Sequence, residues 1–130
     1  MAADQDLCEY LEDELVGTIG TDLFVSELPA GKPEGMVLTM YPGAPPELTC
    51  GSNGITVDMP RFQFQAHYAT ETTAIAKAEA AATALAKVAN QSIEGTRYRS
   101  VTVLQTPGLL YRDKNNRSVF GFNGEAERDV

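Results

Sequence analysis

Between Asp4 and Val16, Leu7, Leu11 and Leu15 recur at four-residue steps with Cys8 beside them, while Asp6, Glu9, Glu12 and Asp13 fall elsewhere. That is the stripe of an amphipathic helix. Asp4 is placed to cap its start, and Gly17 and Gly20 to end it. Apolar runs at Thr21–Ser26 and Met36–Tyr41 read as two strands, separated by the turn formers around Pro29, Gly31 and Pro33. Pro60 to Ala69 shows the clearest alternation, with Phe62, Phe64, Ala66 and Tyr68 on one face and Arg61, Gln63, Gln65 and His67 on the other. Thr70–Asn90 reads as the longest helix, striped by Ile75, Ala78, Ala82, Leu85 and Ala89, its alanines combining high helix propensity with a slim face. Thr96–Gln105 and Ser118–Asn123 read as two further strands, and Asn115-Asn116 between them suits a tight hairpin turn.

The order α-β-β-β-α-β-β predicts an α+β fold in which an N-terminal helix and a long Ala-rich helix pack on a mainly antiparallel sheet of about five strands. One domain, residues 1–130, accommodates all of it. Pro42–Asn53, rich in proline and glycine, is expected to project as an arm or loop. The ending Gly124–Val130 has almost nothing to bury and is expected to be a frayed, disordered tail.

Charge changes the picture more than composition does. The chain is 43% apolar and 22% charged, with a formal net charge of −8. Residues 1–35 hold nine acids and one base, whereas 60–117 hold eight bases and four acids. A net-acidic chain is a poor candidate for gripping phosphates, so sequence-specific DNA binding is disfavoured. An acidic front and a basic back suit a subunit that sets one segment against another on a neighbouring copy, although a solvated acidic helix face explains the front equally well. Cys8 and Cys50 do not form a metal-ligand or redox spacing. The N-terminus lacks signal-peptide regions and no apolar run approaches the roughly 20 residues of a membrane helix, so the expectation is a soluble, cytosolic chain with no membrane partner.

Reactive chemistry finds little support. His67 is the one histidine and has no ligand or nucleophile at a useful spacing, so a structural or surface role is the simpler reading. Phosphate-loop, dinucleotide, nucleophile-elbow and HExxH motifs are missing from the sequence. Glu9, Glu12 and Asp13 could in principle serve acid–base work or a hard cation, but a wet face or a partner's cations needs no special pocket. Arg112, Asp113 and Arg117 flank the Asn-Asn turn closely enough for an ion pair across the hairpin, worth at most about 1 kcal/mol if exposed. No catalytic, cofactor-binding or metal-ligating residue is assigned.

With these residues laid out, the chain resembles the small tail terminator family of long-tailed bacteriophages, also described as phage minor capsid proteins. The resemblance rests on the acidic leucine-striped helix, Gly20-Thr21-Asp22-Leu23-Phe24, the run from Tyr41 to Leu48, Phe62-Gln63-Phe64-Gln65, and the Ala-rich helix. It continues through Ile93–Tyr98 and the Arg112-Asp113 turn ending in Arg117, and so covers nearly the whole chain. Asn116 departs from it where a turn glycine is expected, and the segment after Asn123 matches nothing in it. The resemblance implies a non-enzymatic virion protein: a homo-oligomeric ring, a hexamer, that caps the tail tube at the neck and joins it to the head connector. Genomic DNA would pass through without specific binding. The interface residues it points to are Glu9, Glu12 and Asp13 on the first helix and Arg112, Asp113 and Arg117 on the hairpin, with the Pro42–Asn53 arm reaching tube or connector. The rivals are a head-completion protein of the neck, a small cytosolic α+β enzyme, and a monomeric ligand-binding module.

Overall fold

The alternating segment predicted at 60–69 becomes strand β5 (Arg61–Tyr68), which is paired from Arg61 to His67 on one side and from Arg61 to Tyr68 on the other. The computed structural model describes residues 3–31, 34–42, 47–48, 55–113 and 117–129. Within them, helix α1 (Ala3–Asp13) precedes β1 (Leu23–Val25), β2 (Gly35–Tyr41), β3 (Glu47–Leu48) and β4 (Ile55–Asp58). After β5 come helix α2 (Glu71–Ala86), β6 (Ala89–Ile93), β7 (Thr96–Val103), β8 (Gly108–Arg112) and β9 (Ser118–Asp129). The α+β class with two helices agrees with the pattern, whereas the sheet is mixed and larger than expected, with nine strands. Strand β1 runs parallel to β2, and the other pairings are antiparallel.

Strand β9 organises this sheet. One of its edges pairs with β5 from Ser118 to Glu125 and then with β4 at Arg128 and Asp129. It also pairs with β8 at 118–121 and with β7 at 124–128. Between β4 and β5, Pro60 interrupts the ladder, and its carbonyl accepts from the Ala126 amide at 2.9 Å. The frayed ending expected from Gly124 is therefore corrected: residues 124–129 are the second half of the longest strand. Gly124 and Ala126 are buried there because small residues fit under the aromatic layer, and a Cβ on Gly124 would run into the Phe62 ring. The intervening acids find cations across the sheet, Glu125 with Arg61 at 2.7 Å and Asp129 with Arg99 at 2.8 Å and Arg97 at 3.2 Å.

Both helices cover one face. Phe62, Phe64 and Phe122 are fully buried beneath them, with Phe64 and Phe122 stacked at 5.4 Å and Phe62 edge-on to Phe122 at 6.4 Å. Burial of each such ring contributes about 1.5–3 kcal/mol. Helix α2 meets this layer with Ala74, Ala78, Ala81, Ala84 and Leu85, small enough to let the helix approach closely. It ends at Ala86, earlier than the periodicity predicts; at the cap the Lys87 amide donates to the Ala84 carbonyl at 3.2 Å and the Val88 amide to the Leu85 carbonyl at 3.1 Å. Ala89 and Asn90 belong instead to β6, which returns to β7 through the positive-φ pair Glu94 (49°) and Gly95 (82°).

Helix α1 is also shorter than its leucine stripe suggests. Leu7, Leu11 and Cys8 are buried, but the helix stops at Asp13 and Leu15 lies outside it, 91% exposed. Asp6, which the stripe places away from the core, is fully buried: its Oδ2 accepts from the Tyr98 hydroxyl at 2.8 Å. Its Oδ1 has no partner among the described residues. Burial and this bond push the Tyr98 phenol well above its ordinary pKa. Of the Pro42–Asn53 arm, residues 43–46 and 49–53 lie outside the described residues, while Glu47–Leu48 forms β3, paired with β4.

Candidate functional site

The acidic candidates Glu9, Glu12 and Asp13 share the solvent side of α1, since the opposite side is committed to the core. Glu9 accepts from the Gln5 side chain at 3.0 Å. Glu12 accepts from the Ile19 amide at 2.8 Å and so ties down the loop that follows the helix. Asp13 is exposed and has no partner among the described residues. The helix has no basic residue in its last turn, so these carboxylates crowd the negative end of its dipole without an internal cation to relieve them.

The hairpin candidates are knit into the fold. The Arg117 amide and Nε donate to the two Asp113 carboxylate oxygens at 2.9 and 3.0 Å, and the Asp113 amide donates to the Arg117 carbonyl at 3.0 Å. This is the ion pair expected across the hairpin; Asn115 and Asn116 lie outside the described residues. Arg112 donates to Ser118 Oγ at 2.9 Å and to Glu71 Oε1 at 3.2 Å at the start of α2. The structure adds a neighbour the sequence could not assign: His67 lies with Nδ1 3.8 Å from Asp113, its ring edge-on to Tyr111 and Nε2 2.9 Å from Gln65 Oε1.

His67 is 8% exposed, and burial lowers its pKa from the ordinary 6.5, an effect that Asp113 offsets only in part. The folded state thus binds the proton less readily than the unfolded chain. The associated stability is fully present above the ordinary imidazole pKa of about 6.5 and is lost as pH falls through the lower folded value. Replacing His67 with Gln is expected to remove this acid-side loss. Urea melts of both proteins between about pH 8 and about pH 5 check it, and parallel stability curves would assign the slope to other groups.

The two candidate clusters are not brought together. The Tyr10 hydroxyl of α1 donates to the Ala84 carbonyl near the end of α2, while Arg112 reaches Glu71 at its beginning. At 1.5 Å per residue these contacts stand about 20 Å apart along α2. The basic back also proves less available than its sequence count suggests. All six arginines are ion-paired inside the chain, to Glu71, Asp113, Asp58, Glu125, Glu127 and Asp129. Lys77 and Lys87 are the cationic side chains of the described lysines and arginines that stand outside any ion pair. The surplus that remains at the surface is acidic.

On the face of the sheet opposite the helices, Thr39, Met40, Tyr41, Gln63, Gln65 and Asn123 line a groove of about 420 Å³. Its side chains are linked: Gln65 Nε2 donates to Gln63 Oε1 at 2.6 Å and Gln63 Nε2 to Asn123 Oδ1 at 3.2 Å. The alternation of β5 marks Gln63 and Gln65 as the non-core face, but nothing in the sequence pairs them with Asn123 some sixty positions later. Cys8 is buried, and desolvation pushes its thiol up to about 12, so it packs as a small apolar group. Among the described residues, groups of three or more His, Cys, Asp or Glu able to hold a metal ion do not occur, and no helix is long and apolar enough to cross a membrane. What the site region offers is therefore surface hydrogen bonding and charge.

Comparison with known proteins bears on which family this architecture serves. A search of curated proteins found no match to the chain. A family model described as bacteriophage tail terminator protein matches residues 10–130, from the middle of α1 through β9 and including the segment after Asn123 that the resemblance left unmatched. With a match over nearly its entire length, the chain belongs to the bacteriophage tail terminator protein family, a structural family of the phage particle.

Proposed function

We propose that copies of this chain close into a six-membered ring that caps the tail tube, halts its growth, and presents the opposite face to the head connector. The family match over residues 10–130 carries this reading. The geometry supports it in two ways. Candidate contact clusters sit toward opposite ends of α2, as a head-to-tail interface between different surfaces of neighbouring copies requires. Internal pairing of the arginines leaves an acidic surface, which suits a conduit through which a genome slides without being held. Particle assembly would take place in the host cytoplasm, and the region 42–53 is the candidate for reaching tube or connector.

Electron microscopy of tails assembled with and without this protein tests the proposal. The expected result is tails of uncontrolled, overrun length in its absence and a defined length when it is restored. Tails of normal length beside unjoined heads would overturn it in favour of a head-completion role.

A further inference from the structure

Helix α1 carries three features that oppose its own docking. The first is Asp6, whose side chain is fully buried with only Oδ2 satisfied, by the Tyr98 hydroxyl at 2.8 Å; Oδ1 has no partner among the described residues. A buried carboxyl oxygen without a donor forgoes the hydration it would regain in water. The second is the last turn, where Glu12 and Asp13 stand at the negative end of the helix dipole with no basic residue beside them. The third is the C-cap. The Val16 amide donates to the Leu11 carbonyl and the Leu15 amide to the Glu12 carbonyl, both at 3.0 Å, the paired bonds of a Schellman motif. The left-handed residue of that motif is usually glycine; here it is Leu15, with φ 62° and its side chain 91% exposed. Undocking and unwinding the helix relieves all three.

What holds α1 down is confined to its own contacts. Leu7, Cys8, Tyr10 and Leu11 are buried, the Tyr10 hydroxyl donates to the Ala84 carbonyl at 2.8 Å, and Ser26 Oγ donates to Asp4 Oδ2 at 3.3 Å. Among the described residues, none of α1 takes part in the ladders of the sheet. The two helices also cover different ground: α1 lies mainly against β1, β2, β6 and the flank of α2, whereas α2 lies mainly against β5, β7 and β9. Lifting α1 therefore leaves the strand pairing in place, together with the layer that α2 covers. That is the architecture of a sub-global opening, in which one weakly held unit parts from a stable remainder.

We propose that α1 is a releasable strap, which opens and recloses as a unit while the sheet and α2 stay folded, favoured to open by the half-satisfied Asp6 and the left-handed Leu15. Opening bares the apolar stripe of Leu7 and Leu11 and the surface beneath it, so the chain uncovers an adhesive face without unfolding. The strap is a property of the single chain and does not rest on the ring reading.

Cys8 reports the opening. It is fully buried within α1, and burial pushes its thiol up to about 12, so it is unreactive while the helix is docked. In a Cys50→Ser background, which leaves Cys8 as the one thiol of the full chain, labelling by an aromatic disulfide reagent is followed across a series of low urea concentrations, beside the global urea melt. Cys8 is expected to label at least about tenfold faster than global unfolding allows, with a weaker urea dependence than the melt. Leu15→Gly, which relieves the cap at an exposed position, is expected to slow labelling about fivefold or more. Asp6→Leu combined with Tyr98→Phe, which replaces both buried partners by apolar groups and leaves Arg128 its bond to Asp58, is expected to slow it as well. Labelling that follows the melt in both rate and urea dependence overturns the proposal, as does a Leu15→Gly protein that labels at the rate of its parent.

Discussion

A chain ending at Asn123 is expected to lose its cooperative fold. Removing 124–129 deletes the partner of β7 from Tyr98 to Val103 and the partner of β4 at Val57 and Asp58. It strips the cover from the buried Tyr98, Val101 and Phe62, and removes the ion-pair partners of Arg61, Arg97, Arg99 and Asp58. Each lost backbone hydrogen bond is worth about 0.5–1.5 kcal/mol net, and several go at once, against a typical total stability of about 5–15 kcal/mol. Circular dichroism melts of the truncated and full-length chains provide the check. A truncated chain melting sharply at the full-length Tm would show that β9 beyond Asn123 is decoration after all.

Gly121→Ala is expected to be nearly as damaging from a single methyl group. Gly121 lies in β9, flanked by Gln65 of β5 and Gly108 of β8. A Cβ there would strike the Phe64 carbonyl oxygen and come within 3.0 Å of both the Phe64 carbonyl carbon and Leu110 Cδ1. Two of these atoms are backbone of a fully paired strand and cannot swing aside as a side-chain tip can. The cost is about 3 kcal/mol or more, at the upper end of overpacking effects. The across-strand partner Gly108 supplies the control: its nearest neighbour would be the Thr106 carbonyl at 3.9 Å, so Gly108→Ala should change stability by only about 0.5 kcal/mol. Urea denaturation of the two variants reads the contrast, and equal midpoints would mean that β9 and β5 separate more easily than their pairing implies.

Both results turn on β9, and β9 is where reading the chain locally stops working. Strand β5 and the core of α2 were legible because their signal is complete within a few residues: period two in Phe62-Gln63-Phe64-Gln65, and alanines at helical spacing. The α+β class follows from those elements and their order. The segment Gly124-Glu125-Ala126-Glu127-Arg128-Asp129 carries the same period of two, but its inward residues are a glycine and an alanine. Such residues look like nothing to bury until a phenylalanine from another strand lies over them. Its charges look like a solvated tail until Arg61, Arg97, Arg99 and Asp58 come into reach.

The candidate site divides in the same way. Candidates on α1 and the hairpin could be named from charge and turn chemistry, which are local properties. That the hairpin ion pair closes on His67, that Asp6 is swallowed by the core against Tyr98, and that the arginines are neutralised internally all depend on contacts between residues dozens of positions apart. The leucine stripe of α1 likewise promised a buried Leu15, and the C-cap turned it outward. Periodicity sufficed to locate helices and the central strand, because a stripe or an alternation is written into consecutive side chains. Pairing partners, sheet edges and the fate of small or charged residues were settled by the assembled molecule, because their burial and satisfaction come from whichever distant strand happens to lie alongside.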